Sequence, residues 1–213
     1  MASYTVMSPV LASAMQPEIP TTQLLHRLLE AIENDILPLT KHGVTRGNKI
    51  FGAALLRKSD LTTFLAETNN EIENPLWHGE MHTLKRYYEM PEAERLTPSE
   101  LIFLSTHEPC SLCLSAITWT GFDNFYYFFS HEDSRDAFAI PHDLKILKEV
   151  FNVDPGGYRH TNEFWTCHSI KKLAAESPEV VALNTRMTNI THQYDSLSQQ
   201  YQSGKTANDI PLN

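Results

Sequence analysis

Residues 101–129 read LIFLSTHEPCSLCLSAITWTGFDNFYYFF, and their pattern predicts the central architecture of the chain. Leu101 to Thr106 is a short apolar run that predicts a buried strand, and Phe125 to Phe129 predicts an aromatic strand. Between them, apolar residues follow Pro109 at helical spacing, and Gly121 is placed to cap the helix. A strand, a helix and a strand in this order favour parallel pairing.

The residues upstream extend this pattern. Ile50 to Leu56 and Leu61 to Glu67 predict a β-hairpin, because turn-forming residues separate two runs of strand formers. A helix is expected to open near His78 and to stop at Pro91. We therefore predict an α/β fold, a three-layer α/β/α sandwich with a mixed central sheet.

Both ends of the chain lie outside this central pattern. Leucine and isoleucine recur at helical spacing from Thr21 onward, and Pro38 is expected to end that helix. Further helices are predicted around 143–150 and 178–197. We divide the chain into an N-terminal arm over 1–20, a main domain over 21–153 and a C-terminal extension over 154–213.

The composition narrows the class of protein. Of the 213 residues, 41% are hydrophobic and 20% charged, which is ordinary for a globular protein. The formal charge is −9 and the basic pairs are scattered, so nucleic acid is not expected as the principal partner. No apolar run is long enough to span a bilayer, and no basic leader is recognisable. We therefore expect a cytoplasmic protein that is not associated with a membrane.

Two short segments, HGE at 78–80 and PCSLC at 109–113, carry the chemistry. Cysteines three residues apart at a helix start share one face, where backbone dipoles favour the thiolate. Parallel strands would bring His78 beside Cys110 and Cys113. Three protein ligands leave the fourth position of a zinc ion open, as in catalytic sites. The sequence therefore predicts a catalytic Zn²⁺ bound by this His-Cys-Cys group.

Glu80, two residues after His78, is the predicted catalytic residue. It is not a metal ligand, but it would stay within reach of water activated at the metal. There it can take a proton, protonate a ring nitrogen and later pass a proton to departing ammonia. The order H-x-E then P-C-x-x-C is that of zinc deaminases.

Other arrangements of metal ligands remain open. His78 and His82 could bind a metal together on one helix face, as in zinc proteases, although Glu80 then lies between them rather than beside a histidine. A packing role is favoured for His82. A closed structural zinc site would need a fourth ligand, such as Cys167 or His168.

Over residues 22–151 the chain resembles the cytidine deaminase superfamily, and within it the branch of bacterial guanine deaminases and tRNA adenosine deaminases. FGAAL at 51–55 looks like the first strand of that branch. NPLWH at 74–78 looks like its entry to the zinc helix, and THEPC at 106–110 looks like its cysteine loop. The resemblance implies that residues 21–153 are a zinc-dependent deaminase domain and that the protein is a homodimer.

The resemblance also implies substrate-binding residues, for which we name Asn70, Trp77, Gly79 and Pro109. The family places a base-binding asparagine after its second strand, and Asn70 is the nearest match, although its residue type alone favours a turn role. Gly79 keeps a small residue where the family commonly has alanine. Trp77 replaces a small residue and could stack on the substrate or narrow the pocket.

In that branch the C-terminal segment can close over the pocket. Tyr158, Phe164 and Trp165 are therefore candidates for lid or dimer contacts, although ordinary core packing is the favoured role for aromatic residues.

The predicted function is that of a hydrolase acting on C–N bonds of cyclic amidines, in nucleobase metabolism. It would release ammonia from a small nucleobase or nucleoside, with a guanine-like purine slightly preferred. A tRNA adenosine deaminase is the first alternative, but it needs a basic surface that this sequence does not show. A non-catalytic zinc-binding partner subunit is the second, and the retention of Glu80 argues against it.

Overall fold

A sheet of five strands forms the centre of the fold. In this computed structural model, which describes residues 19–154 and 156–212, the strands are β1 (Gly52–Arg57), β2 (Thr63–Thr68), β3 (Leu101–His107), β4 (Asn124–Phe129) and β5 (Thr166–Ser169). Their order is β2-β1-β3-β4-β5. β1 pairs antiparallel with β2 and β3, whereas β3 pairs parallel with β4, and β4 with β5. The predicted mixed sheet is confirmed. Of the N-terminal arm predicted over 1–20, all but the last two residues lie outside the described residues.

Helices cover both faces of this sheet. They are α1 (Thr21–Ala31), α2 (Leu37–Thr45), α3 (Gly79–Glu89), α4 (Ser111–Trp119), α5 (His131–Asp136), α6 (His142–Glu149), α7 (Ile170–Ala175) and α8 (Val180–Gly204). Alternate residues of β1 enter two separate cores: Ala54 and Leu56 pack with α1, α2, α7 and α8, whereas Ala53 and Leu55 pack with α3 and α4. The predicted three-layer sandwich is confirmed. Within the described ranges, no helix combines the length and apolar character needed to cross a bilayer.

The predicted helix end at Pro38 is wrong. The helix passes from α1 through a π-helical turn, Ile32–Ile36, directly into α2. Pro38 lies in the first turn of α2, where its missing N–H costs little. Ile32 and Ile36 are both fully buried, so the widened turn keeps the apolar stripe on the core.

Residues after 153 contribute to all three layers of the described fold. β5 forms one edge of the sheet and was not predicted from the sequence. α8, predicted over 178–197, buries Leu183, Ile190 and Tyr194 in the core that contains α1. Trp165 is buried against Phe125 in the opposite core.

Candidate metal centre and cavity

The starts of two helices meet at the ends of β1 and β3. His78 is the extended residue immediately before α3, and Cys110 holds the same place before α4. Gly79 allows α3 to approach β1 closely, because a Cβ on Gly79 would lie 2.6 Å from the Cα of Gly52. A larger residue at position 79 would push the helix start, and His78 with it, away from the strand.

The predicted ligands His78, Cys110 and Cys113 come together. Cys110 Sγ lies 3.5 Å from both His78 Nδ1 and Cys113 Sγ, and Cys113 Sγ lies 3.8 Å from His78 Nδ1. Tetrahedral bonds to zinc of about 2.3 Å from sulfur and about 2.0 Å from nitrogen would separate such atoms by roughly 3.5–3.8 Å. The donor set and its spacing therefore fit zinc. No other metal-binding group of three is found among the described residues.

The thiol of Cys110 is prepared for metal binding. The hydrogen bond between the thiols of Cys110 and Cys113, together with the contact to His78, holds the pKa of Cys110 well below its usual range despite burial. A thiolate is the form of cysteine that binds a metal. Two of the three ligands thus belong to one polarised pair at the start of α4.

Glu80 lies in the first turn of α3 and is buried beside this group. Its Oε2 is 3.4 Å from Cys113 Sγ, and its Oε1 is 2.6 Å from the hydroxyl of Ser105 on β3. Burial raises the pKa of the Glu80 carboxyl, and the hydrogen bond from Ser105 opposes this shift. Ser105 was not predicted as a site residue, because its only signal in the sequence is a hydroxyl within an apolar strand.

The other candidate ligands lie elsewhere. His82 Nδ1 is 2.9 Å from the carbonyl oxygen of Thr68, so this histidine packs against β2 as predicted. Cys167 Sγ lies 3.9 Å from the Tyr158 hydroxyl, and the ring of His168 stacks on Tyr126. Among the residues in the described ranges, none supplies a fourth ligand to the His-Cys-Cys group. The open coordination position argues for a catalytic rather than a structural metal.

A cavity of about 250 Å³ opens beside His78 and Cys110. Its apolar wall consists of Phe51, Pro75, Leu76, Leu112, Ile140 and Ile146, and its other lining residues are Lys49, Glu71, Ser111, His142, Asp143, Pro211 and Leu212. Such a mixture of apolar surface and a few convergent polar groups is typical of small-molecule sites. Larger clefts of about 400 and 370 Å³ lie away from the metal group.

The polar residues of this cavity were not predicted from the sequence. Burial, and then the negative charge of Cys110, raise the pKa of Asp143 to about 7. Lys49 forms a buried ion pair with Glu71, with 2.8 Å between Nζ and Oε1. Lys49 immediately precedes the apolar residues that lead into β1, and a lysine at that place was the one signal in the sequence.

The four predicted substrate-binding residues are not among the lining residues of this cavity. Asn70 donates to Glu73 at 2.6 Å, and its Oδ1 is buried without a partner. The Trp77 ring lies 5.8 Å from Lys85 Nζ. The carbonyl oxygen of Pro109 is 3.1 Å from His131 Nε2. Substrate contacts by these residues stay predictions.

Two of the lid candidates, Trp165 and Tyr158, are hydrogen-bonded to residues of the predicted main domain. Trp165 Nε1 donates to Thr118 Oγ1 at 2.8 Å, and the Tyr158 hydroxyl donates to Glu108 Oε1 at 2.6 Å. Phe164 is exposed. The C-terminal residues that line the cavity are instead Pro211 and Leu212.

Comparison with known proteins identifies the region that contains these residues. Residues 30–129 match the family model described as the cytidine and deoxycytidylate deaminase zinc-binding region. This region includes the whole His-Cys-Cys group and Glu80. No curated protein sequence matches the chain significantly.

Several solved deaminase structures are similar to this chain at low sequence identity. A guanine deaminase from Nitrosomonas europaea is 15% identical with a TM-score of 0.49, covering 78% of this chain and 84% of its own. A guanine deaminase from Bacillus subtilis is 24% identical, with a TM-score of 0.47 and coverages of 63% and 86%. A tRNA:A34 deaminase is 16% identical, with a TM-score of 0.44 and coverages of 70% and 99%. At these values the substrates of those enzymes do not transfer to this chain.

Proposed function

Through residues 30–129 the chain belongs to the cytidine deaminase superfamily and is a zinc-dependent hydrolytic deaminase, and we propose that its substrate is a small nucleobase or nucleoside, a guanine-like purine being preferred. The observation that carries this proposal is the cavity beside His78 and Cys110, with Glu80 buried next to the same group. Ammonia release should be measured across bases, nucleosides and nucleotides. We expect guanine or a close relative to be the best substrate, and a nucleotide as best substrate would contradict the proposal.

The metal has an assigned place in this proposal. His78, Cys110 and Cys113 would hold zinc, which when bound supplies a Lewis acid that activates water at neutral pH. His78 and Cys110 immediately precede helices that pack on the sheet, and Cys113 lies in the first turn of α4.

Glu80 would carry the protons. Its Oε1 is held by Ser105, so Oε2 is the oxygen left to face the metal group. At Oε2 the carboxylate can take a proton from attacking water and deliver it to a ring nitrogen of the substrate. The second proton would come from the hydroxyl that the water has added to the ring, and Glu80 would pass it to the amino group, so that ammonia leaves as the carbonyl forms.

The cavity favours a free base in particular. At about 250 Å³ it lies below the range of about 300–1,000 Å³ that is usual for ligand pockets. Phe51, Leu76 and Ile146 offer apolar surface to a flat ring, and Asp143 offers an acceptor to ring or amino N–H groups. The adjacent N–H donors of a guanine-like purine suit the Asp143 carboxylate, whereas the same carboxylate disfavours a phosphate.

Transfer RNA should bind only weakly at physiological salt. The charge of −9 leaves few cations to displace counterions from the phosphates. A mobility-shift assay at low and physiological salt, with duplex RNA in parallel, would measure this. Tight and strongly salt-dependent binding of tRNA would favour a tRNA adenosine deaminase instead.

A homodimer and a cytoplasmic location stay predictions.

A further inference from the structure

We propose that Lys49 is a specificity-determining residue that donates a hydrogen bond to a carbonyl oxygen on the ring of the substrate. It would select oxo-bearing aminoheterocycles over otherwise identical rings without the oxygen. This inference rests on the proposed function, because it concerns recognition in the same cavity.

The position of Lys49 is unusual for a lysine. It lies three residues before β1. Its side chain is only 8% exposed, although Lys49 lines the cavity. Its partner Glu71 is more deeply buried, with a side chain that is 1% exposed. Lysine is almost never fully buried unless it is paired. The ion pair with Glu71 therefore keeps a charged ammonium group in the wall of this cavity.

Glu71 is itself held by three donors. Oε1 accepts from Lys49 Nζ at 2.8 Å, while Oε2 accepts from the backbone N–H of Lys49 at 3.1 Å and from Asn69 Nδ2 at 2.9 Å. Asn69 Oδ1 in turn accepts from the backbone N–H of Gly79, between His78 and Glu80. Hydrogen bonds therefore connect the ammonium group to the start of α3, which fixes its position relative to the metal ligands.

The ammonium group of Lys49 has more N–H donors than Glu71 accepts. A lysine ammonium carries three N–H donors, and Glu71 is its one side-chain acceptor in the described ranges. Burial without a partner is costly for a polar donor. Because the side chain lines the cavity, an acceptor on a bound ring is the group that would complete its hydrogen bonds.

The charge around Lys49 selects the kind of acceptor. Glu71 already neutralises the ammonium, and Asp143 adds a second carboxylate to the same cavity. A phosphate placed there would meet the Asp143 carboxylate, while the Lys49–Glu71 pair would offer it no net positive charge. A neutral carbonyl oxygen meets no such repulsion. With Asp143 accepting N–H groups, the cavity then matches a ring that carries both an amide oxygen and adjacent N–H donors.

Two matched substrate pairs test this assignment: guanine against 2-aminopurine, and cytosine against 4-aminopyrimidine. Each pair differs by the exocyclic oxygen and by the ring N–H that accompanies it in the amide form. We expect the protein to prefer the oxo member in kcat/KM by about tenfold to a hundredfold, the range of a hydrogen bond to a charged group. Lys49→Met should lose most of this preference. The ratio of two substrates measured on one sample does not depend on the fraction of folded protein.

Two further variants control the experiment. Lys58→Met removes an exposed lysine that pairs with Asp123 away from the cavity, and it should keep the parental ratio. If Lys49→Met fails to fold because Glu71 is left unpaired, the double variant Lys49→Met with Glu71→Gln removes that charge.

The possible outcomes separate this inference from the proposed function. An unchanged oxo preference in Lys49→Met would overturn the assignment, as would a loss restricted to nucleotide substrates. Activity on cytosine but not on purines would contradict the purine preference, and the pyrimidine pair would still test Lys49. If neither pair is turned over, equilibrium binding of the four bases to Glu80→Gln decides, and equal binding within each pair would overturn the assignment.

Discussion

Glu80→Gln is expected to abolish measurable ammonia release while leaving zinc bound. The substitution keeps the size of the side chain and its contact with Ser105, but it removes the oxygen that accepts a proton. Positioned acid-base catalysis contributes about a hundredfold to ten-thousandfold, and a residue that serves several transfers could exceed the upper value. Steady-state kinetics and zinc content should be measured on the same sample.

A carboxylate on the same helix provides the matched control. Glu89 lies at the exposed end of α3, where it pairs with Lys85 and Arg86. Glu89→Gln should keep parental turnover. Near-parental turnover of zinc-loaded Glu80→Gln would show that another group carries the protons.

Cys110→Ala should reduce zinc from about one ion per chain to a small fraction, and activity with it. The substitution removes one of three protein ligands, and the one whose thiol has the lowered pKa. The two ligands that remain do not make a closed or a catalytic zinc site. Elemental analysis after gel filtration gives the metal content directly.

Cys167→Ala is the control for this substitution. Cys167 is also buried, but it lies outside the His-Cys-Cys group. It should keep its zinc, so that loss of metal from Cys110→Ala alone cannot be ascribed to the general loss of a buried thiol. Full zinc retention in Cys110→Ala would refute the ligand assignment.

The metal group was predictable because it depends on one helix turn and on the pairing of neighbouring strand–helix units. Cys110 and Cys113 are neighbours on one helix turn, and two strand–helix units bring His78 to them. Helix and strand periods carry that information in the residue types themselves. The same reasoning located β1 to β4 within a few residues.

The cavity was not predictable, because its walls come from distant parts of the chain. Lys49, Asp143 and Leu212 meet only when the sheet has formed and α6 and the chain end have packed beside it. β5 was missed because its four residues show little apolar alternation. The prediction that Pro38 ends the first helix was wrong because a rule based on proline alone does not include the π-helical turn that precedes it.

The parallel pairing of β4 with β5 bears on how the protein can be shortened. Without residues 154–213, β4 would become the edge of the sheet, presenting unpaired backbone groups along the uncharged aromatic run NFYYFF. Phe125 and Tyr127 would also lose the cover of Trp165 and Cys167. Such a segment is prone to cross-β association, so a chain cut near 153 would keep the metal motif and be expected to accumulate as insoluble aggregates.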